Sequence, residues 1–163
     1  MTDAVWQTPA LVELPIETFI PHRAPMVLID RALEHRKDFL ETQVCIDEQS
    51  PFFDGLKGGV PNYVGIEYMA QSIAALAGIE AKLAGLPVRI GFLLGSRKLQ
   101  LHQGCFLAGH EYRVRVQRLY QEDTGLAVFD CQILVDETVV ASANINVFQP
   151  DDALAYIAES RQD

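Results

Sequence analysis

The chain has 163 residues, 49% hydrophobic and 21% charged, with a formal net charge of −9. That length suits a single domain, expected to span residues 1–163, with room for a sizeable core. The acidic balance excludes a nucleic-acid binder, which needs a basic face, and no uncharged apolar run reaches the roughly 18 residues of a membrane span.

In chain order, the opening MTDAVWQTPALVELP lacks the basic start and apolar core of a signal peptide, so the cytoplasm is the expected location. Residues 1–12 read as loosely ordered, with Trp6 as an anchor. Pro15 to Ile20 predicts a short helix with Pro15 near its first position. Pro21-His22-Arg23-Ala24-Pro25 leaves the helix, because each proline turns its predecessor away from the αR region. Met26 to His35 is predicted as a strand, Arg36 to Asp38 as a turn, and Phe39 to Asp47 as a second, alternating strand. Gln49 to Asn62 is a loop rich in glycine and proline. Residues 62–85 predict one long helix of about six turns, stopped by Gly85 and Pro87. Strands follow at Val88–Leu101, Glu111–Gln121, Leu126–Val135 and Thr138–Phe148, with Gly91 and Gly95 marking bulges or a bend in the first. Pro150-Asp151-Asp152 then caps a short terminal helix within residues 151–160.

Two strands, one long helix and four strands, run in antiparallel hairpins, make an α+β protein and not an alternating βαβ one. One antiparallel sheet wrapped around one central helix is the hot-dog arrangement. Such a sheet leaves edges that dimerisation would cover. The three cysteines, Cys45, Cys105 and Cys131, are unevenly spaced and form neither a disulfide framework nor a metal-ligand cluster. Charge is unevenly spread: Leu86 to Arg118 holds Arg89, Arg97, Lys98, Arg113, Arg115 and Arg118 against Glu111 alone. That asymmetry is either a set of solvated strand faces or a guide for an acidic partner.

The first half of the long helix is apolar on almost every side, which predicts burial all round. Small residues such as Ala70, Ala74 and Ala77 let other backbone approach. One carboxylate interrupts it, Glu67, with Gln71 one turn later on the same face. An acid there is costly unless it is paired or kept protonated. Taken alone, Glu67 is either a structural acid bonded to His22 or backbone, or a functional one.

Two stretches carry a resemblance. Ile20-Pro21-His22-Arg23-Ala24-Pro25-Met26-Val27-Leu28-Ile29-Asp30-Arg31 resembles the LPHRYPFLLVDRV opening of the 3-hydroxyacyl-acyl carrier protein dehydratases. Pro51-Phe52-Phe53-Asp54-Gly55, followed by Gly65-Ile66-Glu67-Tyr68-Met69-Ala70-Gln71, resembles their PFFxGHFP … EAxAQ core. Ala108-Gly109-His110 stands where those proteins often have Pro-Gly-Asp. The stretch GGVPNYVGIEYMAQ and the ending NVFQPDD are more similar to a divergent branch, the dehydratase-like proteins of aryl polyene clusters. One departure matters: where the main family has its catalytic histidine after PFFxG, this chain has Leu56, and the loop to the helix is about three residues shorter.

Dehydration of a 3-hydroxyacyl thioester needs a base for the C2 proton, an acid for the departing hydroxyl, and donors to the thioester oxygen. Glu67 suits the acid, since an apolar helix raises a carboxyl pKa and keeps a proton available. Gln71 is placed to hold that carboxyl. Backbone N–H groups at the helix start, at Asn62, Tyr63 or Val64, are candidate oxyanion donors. Gly58 and Gly59 suit close approach of a thioester or pantetheine arm. The base has no evident residue: His22 falls in a motif that the resemblance makes structural, His102 and His110 read as packing or surface residues, and Lys57 would need a much lowered pKa.

What the resemblance implies is a site at a dimer interface, with the histidine from one subunit and the helix glutamate from the other. The partners it implies are an acyl carrier protein, docked by Arg89, Arg97 and Lys98, and a homodimer mate or a His-bearing homologue. No metal or other cofactor is expected; the substrate rides on the carrier's phosphopantetheine. Two other readings stay open: a thioesterase on the same fold, with Glu67 activating water or attacking directly, and a non-catalytic partner subunit.

Overall fold

The computed structural model describes residues 11–150 and 158–159. Among the described residues eight strands form: β1 (Arg31–Arg36), β2 (Phe39–Cys45), β3 (Gly59–Pro61), β4 (Phe92–Leu101), β5 (Cys105–Leu107), β6 (Glu111–Gln121), β7 (Leu126–Val135) and β8 (Thr138–Phe148). The helix α1 spans Gly65–Leu83, entered through a 3-10 turn at Asn62–Val64. Six strands make one antiparallel sheet in the order β1-β2-β6-β7-β8-β4, and β3 pairs with β5 apart from it.

Alternation builds the core. On β6, Tyr112, Val114 and Val116 are buried while Arg113 and Arg115 face outward, the two-residue period of a strand with one wet face. Phe129, Cys131 and Ile133 of β7 continue the same layer. Against it α1 lays Tyr68, Met69, Ile73, Leu76 and Ile79. The buried hydroxyls of Thr42 on β2 and Ser72 on α1 meet at 2.8 Å and tie sheet to helix. Gly78 lets the segment before β1 cross the helix: a Cβ there would lie 1.9 Å from the Phe19 carbonyl oxygen. On the outer face Glu41 accepts from Arg115 Nε at 2.6 Å and from Arg113 Nη1 at 3.3 Å, and Arg113 also bonds Glu137 in the β7–β8 turn.

The two-strand, helix, four-strand order is present, with several corrections. The first strand does not start at Met26; it runs Arg31–Arg36, because the Leu28 N–H bonds the Gln71 side chain and no neighbouring strand. The strand after the helix begins at Phe92, not Val88. The predicted 49–62 loop conceals β3, and β5 falls between the strands predicted at Val88–Leu101 and Glu111–Gln121; each is three residues long and too short for a periodic signal. The helix is not buried all round: Ile66, Glu67, Ala70, Ala74 and Ala77 are only half-buried. The predicted short helix at 15–20 is a single 3-10 turn, Ile16–Thr18. Most of residues 1–12, Trp6 included, lie outside the described residues, as does the terminal helix apart from helical Ala158 and Glu159. No helix among the described residues is long and apolar enough to cross a membrane.

Candidate active site

The half-buried stripe of α1 lines a groove of about 270 Å³ between the helix and β7, β8 and β4. Glu67 stands in its wall, its side chain 41% exposed. Oε1 of Glu67 accepts from Gln71 Nε2 at 3.1 Å and lies 3.9 Å from His22 Nε2. The same Gln71 Nε2 donates to the Met26 carbonyl at 2.8 Å, and its Oε1 accepts from the Leu28 N–H at 2.9 Å. Gln71 is fully buried, so the turn after Pro25 is stitched to α1 beside the acid. The Arg23 guanidinium donates to the Ile20 and His22 carbonyls at 2.8 and 2.6 Å, closing the turn that carries His22. That is the local work of the PHRAP stretch.

The structure thus brings together Glu67, Gln71 and His22. The acid is less desolvated than an all-round buried helix would make it, because the groove admits solvent beside it. His22 Nδ1 is buried without a hydrogen-bond partner among the described residues.

Other candidates stand outside this groove in the single chain. Asn62 donates its N–H to the Gly104 carbonyl at 3.1 Å and its Nδ2 to the Gln103 carbonyl at 2.8 Å, so its own backbone donor is occupied. Tyr63 is 67% exposed. Gly58 takes φ +71° in the loop, and Gly59 has no room for a side chain: a Cβ would lie 2.3 Å from the Phe106 carbonyl oxygen across the β3–β5 pair. Leu56 tops an ordered turn in which Asp54 Oδ1 accepts its N–H at 2.9 Å, and its side chain is wholly exposed. Of the basic residues, Arg113, Arg115 and Arg118 have carboxylate partners. Arg89, Arg97 and Lys98 are exposed, Arg89 lining the groove and the other two on β4.

The groove adds residues the sequence reading did not single out, notably Phe92 and Phe129, and Arg118, which was named only among the basic residues. Its floor had a visible signal: Glu67, Ala70, Ala74 and Ala77 repeat at helical spacing on one face. Its sheet side had none, since strands distant in sequence supply it.

Known proteins match this chain in sequence and in fold. The 3-hydroxyacyl-[acyl-carrier-protein] dehydratase FabZ of Dichelobacter nodosus is 32% identical over 141 residues, covering 80% of this chain and 90% of the relative. The FabZ of Shewanella woodyi is 29% identical over 134 residues, covering 80% and 86%. The class is therefore that of the hot-dog 3-hydroxyacyl-acyl carrier protein dehydratases, which are lyases. Within it, the chain belongs to the ApeP-like family, the ApeP dehydratases, whose model matches residues 14–158. Among solved structures, the dehydratase heterocomplex ApeI:P from Xenorhabdus doucetiae superimposes with a TM-score of 0.82 at 27% identity, covering 89% of this chain and 97% of that one.

Proposed function

We propose that this chain contributes Glu67 as the acid of a dehydratase site that a His-bearing homologous subunit completes, acting in the cytoplasm on 3-hydroxyacyl chains held by an acyl carrier protein. One observation carries the reading. Glu67 is kept in a formed groove, braced by Gln71, while the position of the family's histidine is Leu56, an exposed side chain on a turn outside that groove. The similarity to a dehydratase heterocomplex supports the pairing.

In the reaction the partner's histidine takes the C2 proton, and the C2–H electrons form the C2=C3 double bond. The C3–O bond breaks as Glu67 gives its proton to the leaving hydroxyl, so water and an enoyl thioester result. Glu67 ends ionised and the base protonated; exchange with solvent through the groove resets both. Gln71 keeps the carboxyl aimed throughout. Arg89, Arg97 and Lys98 offer positive charge to an acidic carrier, whose pantetheine brings the thioester to the groove.

Intact-mass spectrometry of a 3-hydroxyacyl carrier protein tests this. The expected result is no change with this chain alone and loss of one water when a His-bearing homologue is added. Full dehydration by this chain alone would overturn the shared site and move the base to His22, the histidine beside Glu67. Loss of the whole acyl group would make it a thioesterase.

A further inference from the structure

His22 is a polar side chain to which the dehydration steps give no work. Its ring lines the groove and is 30% exposed. The backbone beneath it is pinned: Arg23 donates to the Ile20 and His22 carbonyls, and Gln71 ties Met26 and Leu28 to α1. The two ring nitrogens meet different surroundings. Nδ1 is buried and has no hydrogen-bond partner among the described residues. Nε2 faces the carboxyl of Glu67, 3.9 Å from Oε1.

That asymmetry decides where the ring carries its hydrogen. On Nδ1 the hydrogen would be a buried donor with no acceptor, and the bare lone pair of Nε2 would face a carboxyl oxygen. On Nε2 the hydrogen points at an acceptor, and only a lone pair is sealed in. An imidazolium carries a hydrogen on both nitrogens and again strands the one on Nδ1. Glu67 therefore meets an uncharged N–H.

Oε1 of Glu67 already accepts from Gln71 Nε2 at 3.1 Å, and a carboxyl oxygen has a second lone pair for another donor. The His22 N–H stands about 1 Å too far away for a hydrogen bond to that oxygen. Such bonds tighten when the reaction proceeds, and Glu67 gains charge as its proton passes to the departing hydroxyl. A donor is worth more to a carboxylate than to the neutral acid. The contact therefore favours the transition state over the resting enzyme.

We propose that His22 is a positioning residue acting through Glu67: in its uncharged Nε2–H form it closes on Oε1 as the carboxylate develops, and steadies the charge left there. It takes up no proton and touches no reacting atom. The inference rests on Glu67 being the acid of the shared site proposed above.

The test uses this chain with its His-bearing partner and a 3-hydroxyacyl carrier protein, with water loss followed by intact mass. Gln supplies an uncharged amide N–H in place of the Nε2–H, whereas Phe keeps a ring and has no donor. His22→Phe is expected to lower kcat by about tenfold with little change in KM. His22→Gln should stay within about threefold of the parent. Equal losses in the two variants would overturn the inference, because a proton carrier or a merely structural ring fails in both. Parent turnover in His22→Phe would overturn it as well. A second measurement needs no variant. Nitrogen NMR of the histidine rings, with this chain labelled in the unmodified complex, should place the His22 hydrogen on Nε2 alone near neutral pH. A hydrogen on Nδ1, or on both nitrogens, would overturn the proposal whether or not the variants fold. No dehydration by the unmodified pair would instead bring down the shared-site reading, and this inference with it; the ring hydrogen found on Nε2 in that sample separates the two failures.

Discussion

Gln71 gives one oxygen of Glu67 a fixed role. Its Nε2 reaches Glu67 Oε1 at 3.1 Å, and its amide cannot flip, because the Leu28 N–H requires an acceptor and the Met26 carbonyl requires a donor. Oε1 is therefore held as an acceptor. When Glu67 is protonated, its proton belongs on Oε2, the oxygen free for the acid role proposed above.

Glu67→Gln keeps the shape and an acceptor for Gln71 but removes the transferable proton. Dehydration by the reconstituted pair should fall by on the order of 10²–10⁴, with the thermal midpoint nearly unchanged. Turnover at the unmodified rate would show that Glu67 is only structural.

Gln71→Ala leaves the buried Leu28 N–H without its acceptor. The expected loss is about 1–3 kcal/mol, or a thermal midpoint lower by about 2–4 °C for each kcal/mol. Activity should fall as well, because Glu67 loses its brace. A variant as stable as the parent in a denaturant titration would show that water replaces the amide without cost.

How much of this was legible beforehand differs by element. The strong strands read well because their alternation is local: Tyr112, Val114 and Val116 declare the inner face of β6 without reference to any neighbour. Glu67 and Gln71 read well because one helical turn places them together. The Met26–Asp30 stretch did not, since its apolar run resembles a strand while its backbone answers to a side chain 43 positions away, at Gln71. Arg118 was counted only as surface charge; its partners Asp38 and Glu80 come from a turn and from α1, and only the folded sheet brings them together.

Gly78→Ala should be severe. The new Cβ would meet backbone at Phe19, which cannot swing aside like a side chain tip. A loss of about 3 kcal/mol or more is expected, read as a lowered denaturant midpoint or failure to accumulate folded protein. Gly85→Ala is the comparison: it meets nothing nearby, and only its φ of +72° resists a side chain, for about 1 kcal/mol. Equal effects for the two would contradict the close crossing at Phe19.

Burial lowers the pKa of His35 from its usual 6.5, with Glu80 partly opposing. The unfolded chain therefore takes up this proton at a higher pH than the folded one. The stability tied to neutral His35 is complete above about pH 6.5 and is lost as pH falls through the folded value. Thermal midpoints at pH 8, 6 and 5 should drop more steeply for the parent than for His35→Gln. Parallel curves would remove His35 from the acid response.

β4 ends the six-stranded sheet, paired with β8 on one side only, and it shows Leu93, Leu94 and Leu99 to solvent. An uncovered, leucine-bearing edge of ten residues is a template for unwanted strand pairing. On the paired reading proposed above, a copy of this chain made in excess of its partner would keep whatever edge the pairing covers exposed, and self-association of the chain purified alone is the expected outcome.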